Sequence, residues 1–184
     1  MKTIPVKSIK GAYKIVVGKG ILARSGSLLS GLFRPGARIL VVSQTGISRY
    51  ARTVAEAITR KGFKVSFHTL PDGERAKSGK ELFRLLHVLL AKGFERKDGI
   101  VAVGGGVVSD LSGFAASVYL RGIRYVNVAT TLLAQVDSSI GGKTGINLPE
   151  GKNLMGAFHP PALVISDVGV LDSLPAKELC ASLA

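Results

Sequence analysis

Short apolar runs alternate along this chain with longer segments of helical spacing. Tyr13 to Val17 reads as a strand that stops at Gly18, and Ile21 to Leu32 carries apolar residues at helical spacing until Pro35 and Gly36 interrupt it. Arg38 to Ser43 is a run rich in β-branched residues, of the kind a strand buried on both faces requires. Ser48 to Lys61 predicts a helix closed by Gly62, and Lys80 to Lys92 a second one closed by Gly93, with Phe63 to Phe67 alternating as a strand between them. Gly99 to Val103 is again strand-like; glycines follow at 104, 105 and 106, then an amphipathic helical segment from Leu111 to Leu120. Tyr125 to Val128 predicts a strand, Thr130 and Thr131 a helical start, and Ala162 to Asp167 a last strand that ends in an acid. Successive β-α units with short connections predict an α/β fold built on a doubly wound, mainly parallel sheet.

The stretch from Asp137 to Pro161 breaks this rhythm. It is rich in glycine and hydroxyl residues and predicts an ordered loop that presents groups, with a further helical turn beginning at Gly151 to Leu154. In doubly wound sheets ligands sit at the carboxyl ends of the strands. Ser43-Gln44, Pro71 to Glu74, Gly104 to Gly106 and Thr130-Thr131 all fall at such ends. The triple glycine fits neither G-x-G-x-x-G nor G-x-x-x-x-G-K-[ST]. Glycine lets the backbone approach a ligand, and a helix start offers free N–H groups, so a phosphate or pyrophosphate suits the turn. A tight strand-to-helix turn without a guest is the alternative.

The 184 residues suit one domain, and 46% hydrophobic residues are enough for a core. No apolar run reaches the roughly 18 residues of a membrane span, and Met1 to Pro5 does not open a signal peptide. The single cysteine, Cys180, excludes an internal disulfide, fits a reducing cytoplasm and reads as a structural thiol. Twenty-five basic against 12 acidic residues give a net charge of +13, spread along the chain without aromatic interleaving. Small phosphorylated ligands account for the lysines of the polar clusters better than nucleic acid or a membrane does. His68, His87 and His159 do not form a metal-ligand set by spacing.

Five segments together resemble the 3-dehydroquinate synthase family: Pro71 to Ser78, Gly104 to Asp110, Tyr119 to Gly122, Thr130 to Thr144 and Gly151 to Gly156. Order and spacing match over nearly the whole chain; the triple glycine alone is shared with other sugar phosphate cyclases and glycerol-dehydrogenase-like enzymes. The resemblance implies a Rossmann-like N-terminal domain that binds NAD, followed by a helical domain carrying a divalent metal, zinc or cobalt. It implies conversion of 3-deoxy-D-arabino-heptulosonate 7-phosphate to 3-dehydroquinate and phosphate, in the shikimate route to aromatic amino acids. The family's metal ligands, a glutamate and two histidines, have no counterpart here. Residues 1–184 are therefore expected to be the NAD-binding domain, ending just before the first metal ligand and inactive alone. A homodimer in the cytoplasm is the family expectation. Another sugar phosphate cyclase, or a non-catalytic nucleotide-binding remnant, are the alternatives.

Residue by residue, the resemblance turns Gly105, Gly106 and Val107 toward the pyrophosphate. Asp110 would meet a ribose hydroxyl or the nicotinamide side, and first-turn helix capping is its competing role. Glu74 and Lys77 match a cofactor-contacting pair, against a plain exposed turn. Thr130 and Thr131 offer hydroxyls to the cofactor or caps to a helix. Gln44 stands where many members carry an acid beside the adenosine, so it can bond a hydroxyl only without charge assistance. Ser173 keeps the hydroxyl of a common threonine. Asp137, Lys143, Lys152, Asn153 and Arg121 match positions that hold the substrate or the nicotinamide end, with Lys143 and Lys152 also counted among cofactor contacts. Without the match Arg121 reads as a surface arginine.

Overall fold

The computed structural model describes residues 1–8, 11–175 and 179; Cys180 lies outside the described residues. Among these, the strands are β1 Lys2–Ser8, β2 Gly11–Gly18, β3 Arg38–Gln44, β4 Lys64–Leu70, β5 Gly99–Gly104, β6 Arg124–Ala129, β7 Lys143–Leu148, β8 Gly151–Phe158 and β9 Leu163–Asp167. The α-helices are α1 Ser25–Leu29, α2 Ser48–Thr59, α3 Gly79–Ala91 and α4 Gly106–Val118. Seven strands form one sheet in the order β1-β2-β9-β6-β5-β3-β4, while β7 and β8 form a separate hairpin. All neighbours in the large sheet run parallel except β1 and β2. Among the described residues no helix is long and apolar enough to cross a membrane.

The two-residue period of the strands sorts the core into two layers. Ile39 and Val41 of β3, Val101 and Val103 of β5 and Val126 and Val128 of β6 pack with α2 residues such as Val54 and Ile58. The residues between them, Leu40, Val42, Ile100, Ala102 and Tyr125, pack on the opposite face with Leu85 and Leu89 of α3 and Leu111 and Ala115 of α4. Winding reverses between β3 and β5: from β3 the chain moves outward to β4, and from β5 it moves the other way to β6. That places a crevice at the carboxyl ends of β3 and β5, where Gln44 and Gly104 stand.

Four segments depart from the sequence expectation. Residues 143–158 form the β7–β8 hairpin, so Gly151 to Leu154 is strand and not a helical turn. The pairing depends on bare backbone: a Cβ on Gly156 would collide with the Thr144 carbonyl, and one on Gly145 would stand 2.7 Å from the Met155 carbonyl oxygen. Before the hairpin, Ala134–Ser138 winds as a single π-helical turn. The helix expected from Leu111 begins five residues earlier, at Gly106, and is buried on most sides instead of amphipathic, because β5, β6, α3 and the hairpin all pack on it. β1 gave no sequence signal; it is an outer strand bearing Pro5, and an edge is where a strand tolerates proline.

The contact between α1 and α2 yields a stability prediction. A Cβ on Gly26 would collide with the Ala57 carbonyl of α2, whereas one on Gly31 meets nothing within 4 Å. Gly26→Ala should lower the unfolding free energy by roughly 1–3 kcal/mol, the usual cost of overpacking. Gly31→Ala should stay within about 0.5 kcal/mol of the parent, as for an ordinary surface change. Urea unfolding of the two variants checks both.

Candidate functional site

The β5–α4 turn carries the close backbone approach. Gly105 is the extended N-cap of α4, and no side chain caps the helix. A Cβ on Gly105 would stand 3.1 Å from Thr131, and one on Gly106 would stand 3.3 Å from the Ser138 hydroxyl. The Thr130 amide donates to the Gly104 carbonyl at 3.1 Å, which holds the threonine pair against the turn. The two hydroxyls then part ways. Thr131 Oγ1 accepts from the Ala134 amide at 3.2 Å and is a cap. Thr130 Oγ1 and Ser138 Oγ are buried with no hydrogen-bond partner among the described residues. Buried hydroxyls are costly to leave unpaired, so these two mark a place for a polar guest. An uncapped helix start, a turn without side chains and two waiting hydroxyls fit the pyrophosphate of a dinucleotide. Val107 contributes its place in the first turn; its side chain packs at the margin of the core.

Behind this turn lies a charged knot. Lys77 Nζ donates to Asp110 Oδ2 and to Asn153 Oδ1. It thereby joins the segment before α3, the first half of α4 and strand β8. The Lys77 side chain is only 7% exposed, so its positive charge is met by protein groups more than by water. Burial lifts the Asp110 carboxyl above the ordinary 3.8, the bond and charge of Lys77 pull it back, and nearby Glu74 adds to the lift. Asn147 closes the knot from the hairpin side. Its Nδ2 donates to Glu74 Oε1 at 2.8 Å and its Oδ1 accepts from the Asn153 amide at 2.9 Å.

A cavity of about 560 Å³ opens beside the knot; Asp110, Asp137, Ser138, Lys143, Asn153 and Phe158 line it. Asp137 and Lys143 are exposed and form no ion pair among the described residues. Lys152 is exposed on β8 and outside the lining. Gln44 uses its amide nitrogen on the Pro71 and Gly73 carbonyls, at 2.9 and 3.3 Å, and so fixes the loop that leads to Glu74. That leaves only its carbonyl oxygen to meet a hydroxyl. Ser173 stands apart, bonded to the Tyr50 hydroxyl of α2 at 2.6 Å. Among the described residues no three His, Cys, Asp or Glu side chains gather as a metal site requires.

Arg121 is not brought to this cavity. It lies with Arg34, Arg96, Lys97 and Arg124 around a second concavity of about 800 Å³, at the opposite edge, where the strands begin. The chain reaches that position through three consecutive positive φ angles, 49° at Leu120, 63° at Arg121 and 120° at Gly122. Asn147 and Ser138 are the site residues that sequence reasoning did not single out. Glu74 lies 73 residues from Asn147, so no local spacing could have joined them.

The lifted Asp110 carboxyl carries a pH prediction. A carboxyl that binds its proton more tightly when folded adds stability below the unfolded value of 3.8, and that stability is lost as pH rises through the higher folded value. Asp110→Asn removes this dependence. The stability difference, parent minus variant, should therefore fall as pH rises across that window in urea titrations. A difference that grows would mean that Lys77 outweighs burial.

The winding, the glycine turn at the reversal and the cavity beside it define an α/β domain of the Rossmann-like class with its ligand edge at the carboxyl ends of the strands. The family described as 3-dehydroquinate synthase N-terminal matches residues 67–181. A 3-dehydroquinate synthase of Caulobacter vibrioides is 46% identical over 185 residues, covering 100% of this chain and 50% of that protein. The crystal structure of a 2-deoxy-scyllo-inosose synthase complexed with carbaglucose-6-phosphate, NAD+ and Co2+ is 29% identical with a TM-score of 0.89, over 99% of this chain and 49% of that one. The 2-epi-5-epi-valiolone synthase of Streptomyces hygroscopicus, with NAD+ and Zn2+ bound, is 32% identical with a TM-score of 0.84, over 100% and 50%. This chain belongs to the 3-dehydroquinate synthase family and spans about half the length of the curated relatives it matches.

Proposed function

We propose that this chain is the NAD-binding half of a 3-dehydroquinate synthase, the lyase-type cyclase that converts 3-deoxy-D-arabino-heptulosonate 7-phosphate to 3-dehydroquinate and phosphate. The β5–α4 turn carries the reading, with its crowded Gly105 and Gly106 and the unpartnered Thr130 hydroxyl beside them. Solved relatives that hold NAD+ and a divalent metal support it. The curated relatives at 45–46% identity named 3-dehydroquinate synthase favour this reaction over that of the more distant cyclases.

When bound, NAD supplies a reversible hydride acceptor at a substrate hydroxyl. The chain's own residues hold and orient. The α4 N-terminus and the glycines seat the pyrophosphate, and Thr130 donates to it. Asp110, held by Lys77, accepts from a hydroxyl at the cavity. Lys143 and Lys152 supply positive charge for a phosphorylated substrate from exposed positions on β7 and β8. Asn153 and Asp137 offer a polar contact each. The described residues contain no set for the divalent metal, which we assign to the other half of the relatives' length. Exposed Leu154 and Phe158 line the cavity, Leu133, Val136 and Met155 are exposed on the segments that border it in sequence, and this apolar surface suits a further domain closing on it. Arg121, on the far edge, is not a substrate group for the cavity of its own chain. We place the protein in the cytoplasm.

Calorimetric titration with NAD tests the reading. The parent chain should bind saturably. Gly105→Asp puts a carboxylate against the pyrophosphate, and like charges about 4 Å apart cost roughly 4 kcal/mol at an effective dielectric of 20, so binding should weaken at least about 100-fold. Equal affinity in both would remove the cofactor from this turn. Residues 1–184 should release no phosphate from the heptulosonate phosphate, because they span about half the length of the curated relatives and their described residues gather no metal ligands; measurable turnover would overturn that expectation.

A further inference from the structure

We infer that Asn147 is a positioning residue that ties the cofactor side of the cleft to the substrate side through its single amide. Its backbone N–H and both polar atoms of its side chain are engaged in the knot. Its backbone N–H donates to the Lys77 carbonyl at 2.9 Å, its Nδ2 to Glu74 Oε1 at 2.8 Å, and its Oδ1 accepts from the Asn153 N–H at 2.9 Å. The amide orientation follows from chemistry. A carboxylate can only accept and a backbone N–H can only donate, so only one rotamer of the amide satisfies both.

Asn153 sits at a φ of 60°, in the left-handed region, where a non-glycine residue needs support. Its support is the Asn147 oxygen on its backbone and the Lys77 ammonium on its side-chain oxygen. In this pose the Asn153 amide nitrogen is the donor left unshared among the described residues, at the cavity that Asn153 lines. Glu74 is exposed, and Asn147 is its one side-chain partner among the described residues. One amide thus sets a carboxylate on the cofactor side and a donor on the substrate side at a fixed relative position. The cofactor label on Glu74 rests on the family resemblance and the substrate label on Asn153 on the function proposed above; the tether itself rests on neither.

The two halves of the amide can be separated. Asn147→Ala removes both bonds. Asn147→Asp keeps an acceptor for Asn153 but sets a second carboxylate against Glu74. Asn153 amide exchange, followed by NMR on this chain, should speed up about tenfold in Asn147→Ala, as expected for the loss of one hydrogen bond, and stay near the parent rate in Asn147→Asp. NAD binding should weaken severalfold in Asn147→Asp with Glu74 present. In a Glu74→Gln background the same change should cost nothing further, because the introduced amide at 74 donates to the introduced carboxylate at 147. A merely structural asparagine would show equal penalties in both backgrounds, and that result overturns the proposal, as does unchanged Asn153 exchange in Asn147→Ala. If the parent fails to bind NAD while the exchange pattern appears as expected, the cofactor reading falls and the tether stands. Unfolding curves recorded on each variant separate these outcomes from simple loss of fold.

Discussion

The architecture of the cleft hangs on one buried ammonium. Lys77 reaches Asp110 on α4 and Asn153 on β8 from a segment that belongs to neither, and almost no water reaches it. A charge in that position is stable only with partners in place, because taking one away leaves an uncompensated charge in a low dielectric. The three segments are therefore held as a set. The hairpin packs on α4 along its length, but no strand of the large sheet pairs with it; the Lys77 knot and the Ser78–Asn147 bridge are what fix its tip.

Much of the sheet was legible in the string because a parallel strand buried on both faces has a plain local signature. Arg38 to Ser43 and Gly99 to Val103 could hardly be anything else, and the helices between them close on Gly62 and Gly93 at positive φ, 81° and 63°. The hairpin was not legible. Its strands carry glycines at 145, 151 and 156, and that composition reads as loop; what makes them strands is the contact of backbone with backbone, which no spacing rule records. The early start of α4 was hidden for a similar reason, since glycines at 105 and 106 weaken a helix locally and fit there because a Cβ would crowd the side chains of Thr131 and Ser138.

The candidate site divides along the same line. Residues placed by a strand end, such as Gly105, Gly106, Thr130 and Gln44, fall where the chain pattern puts them. Asp110, Asp137, Lys143 and Asn153 share a cavity, which a family motif could suggest and only the fold could bring about. Arg121 belongs to a matching motif yet lies at the other edge of the sheet, because thirteen residues of α4 carry the chain from one edge to the other. Motif order along a chain says nothing about which end of a helix a residue occupies.

The walls of the cavity differ in burial, and this decides which of them faces a newcomer. α4 is packed from several directions, with eight of its residues buried, and it cannot shift without repacking the core. Strand β8 turns six of its eight residues to solvent. Strand β7, buried from Thr144 to Ile146, anchors the hairpin to α4, so the exposed face of β8 is the part of the cleft wall that an approaching surface meets first.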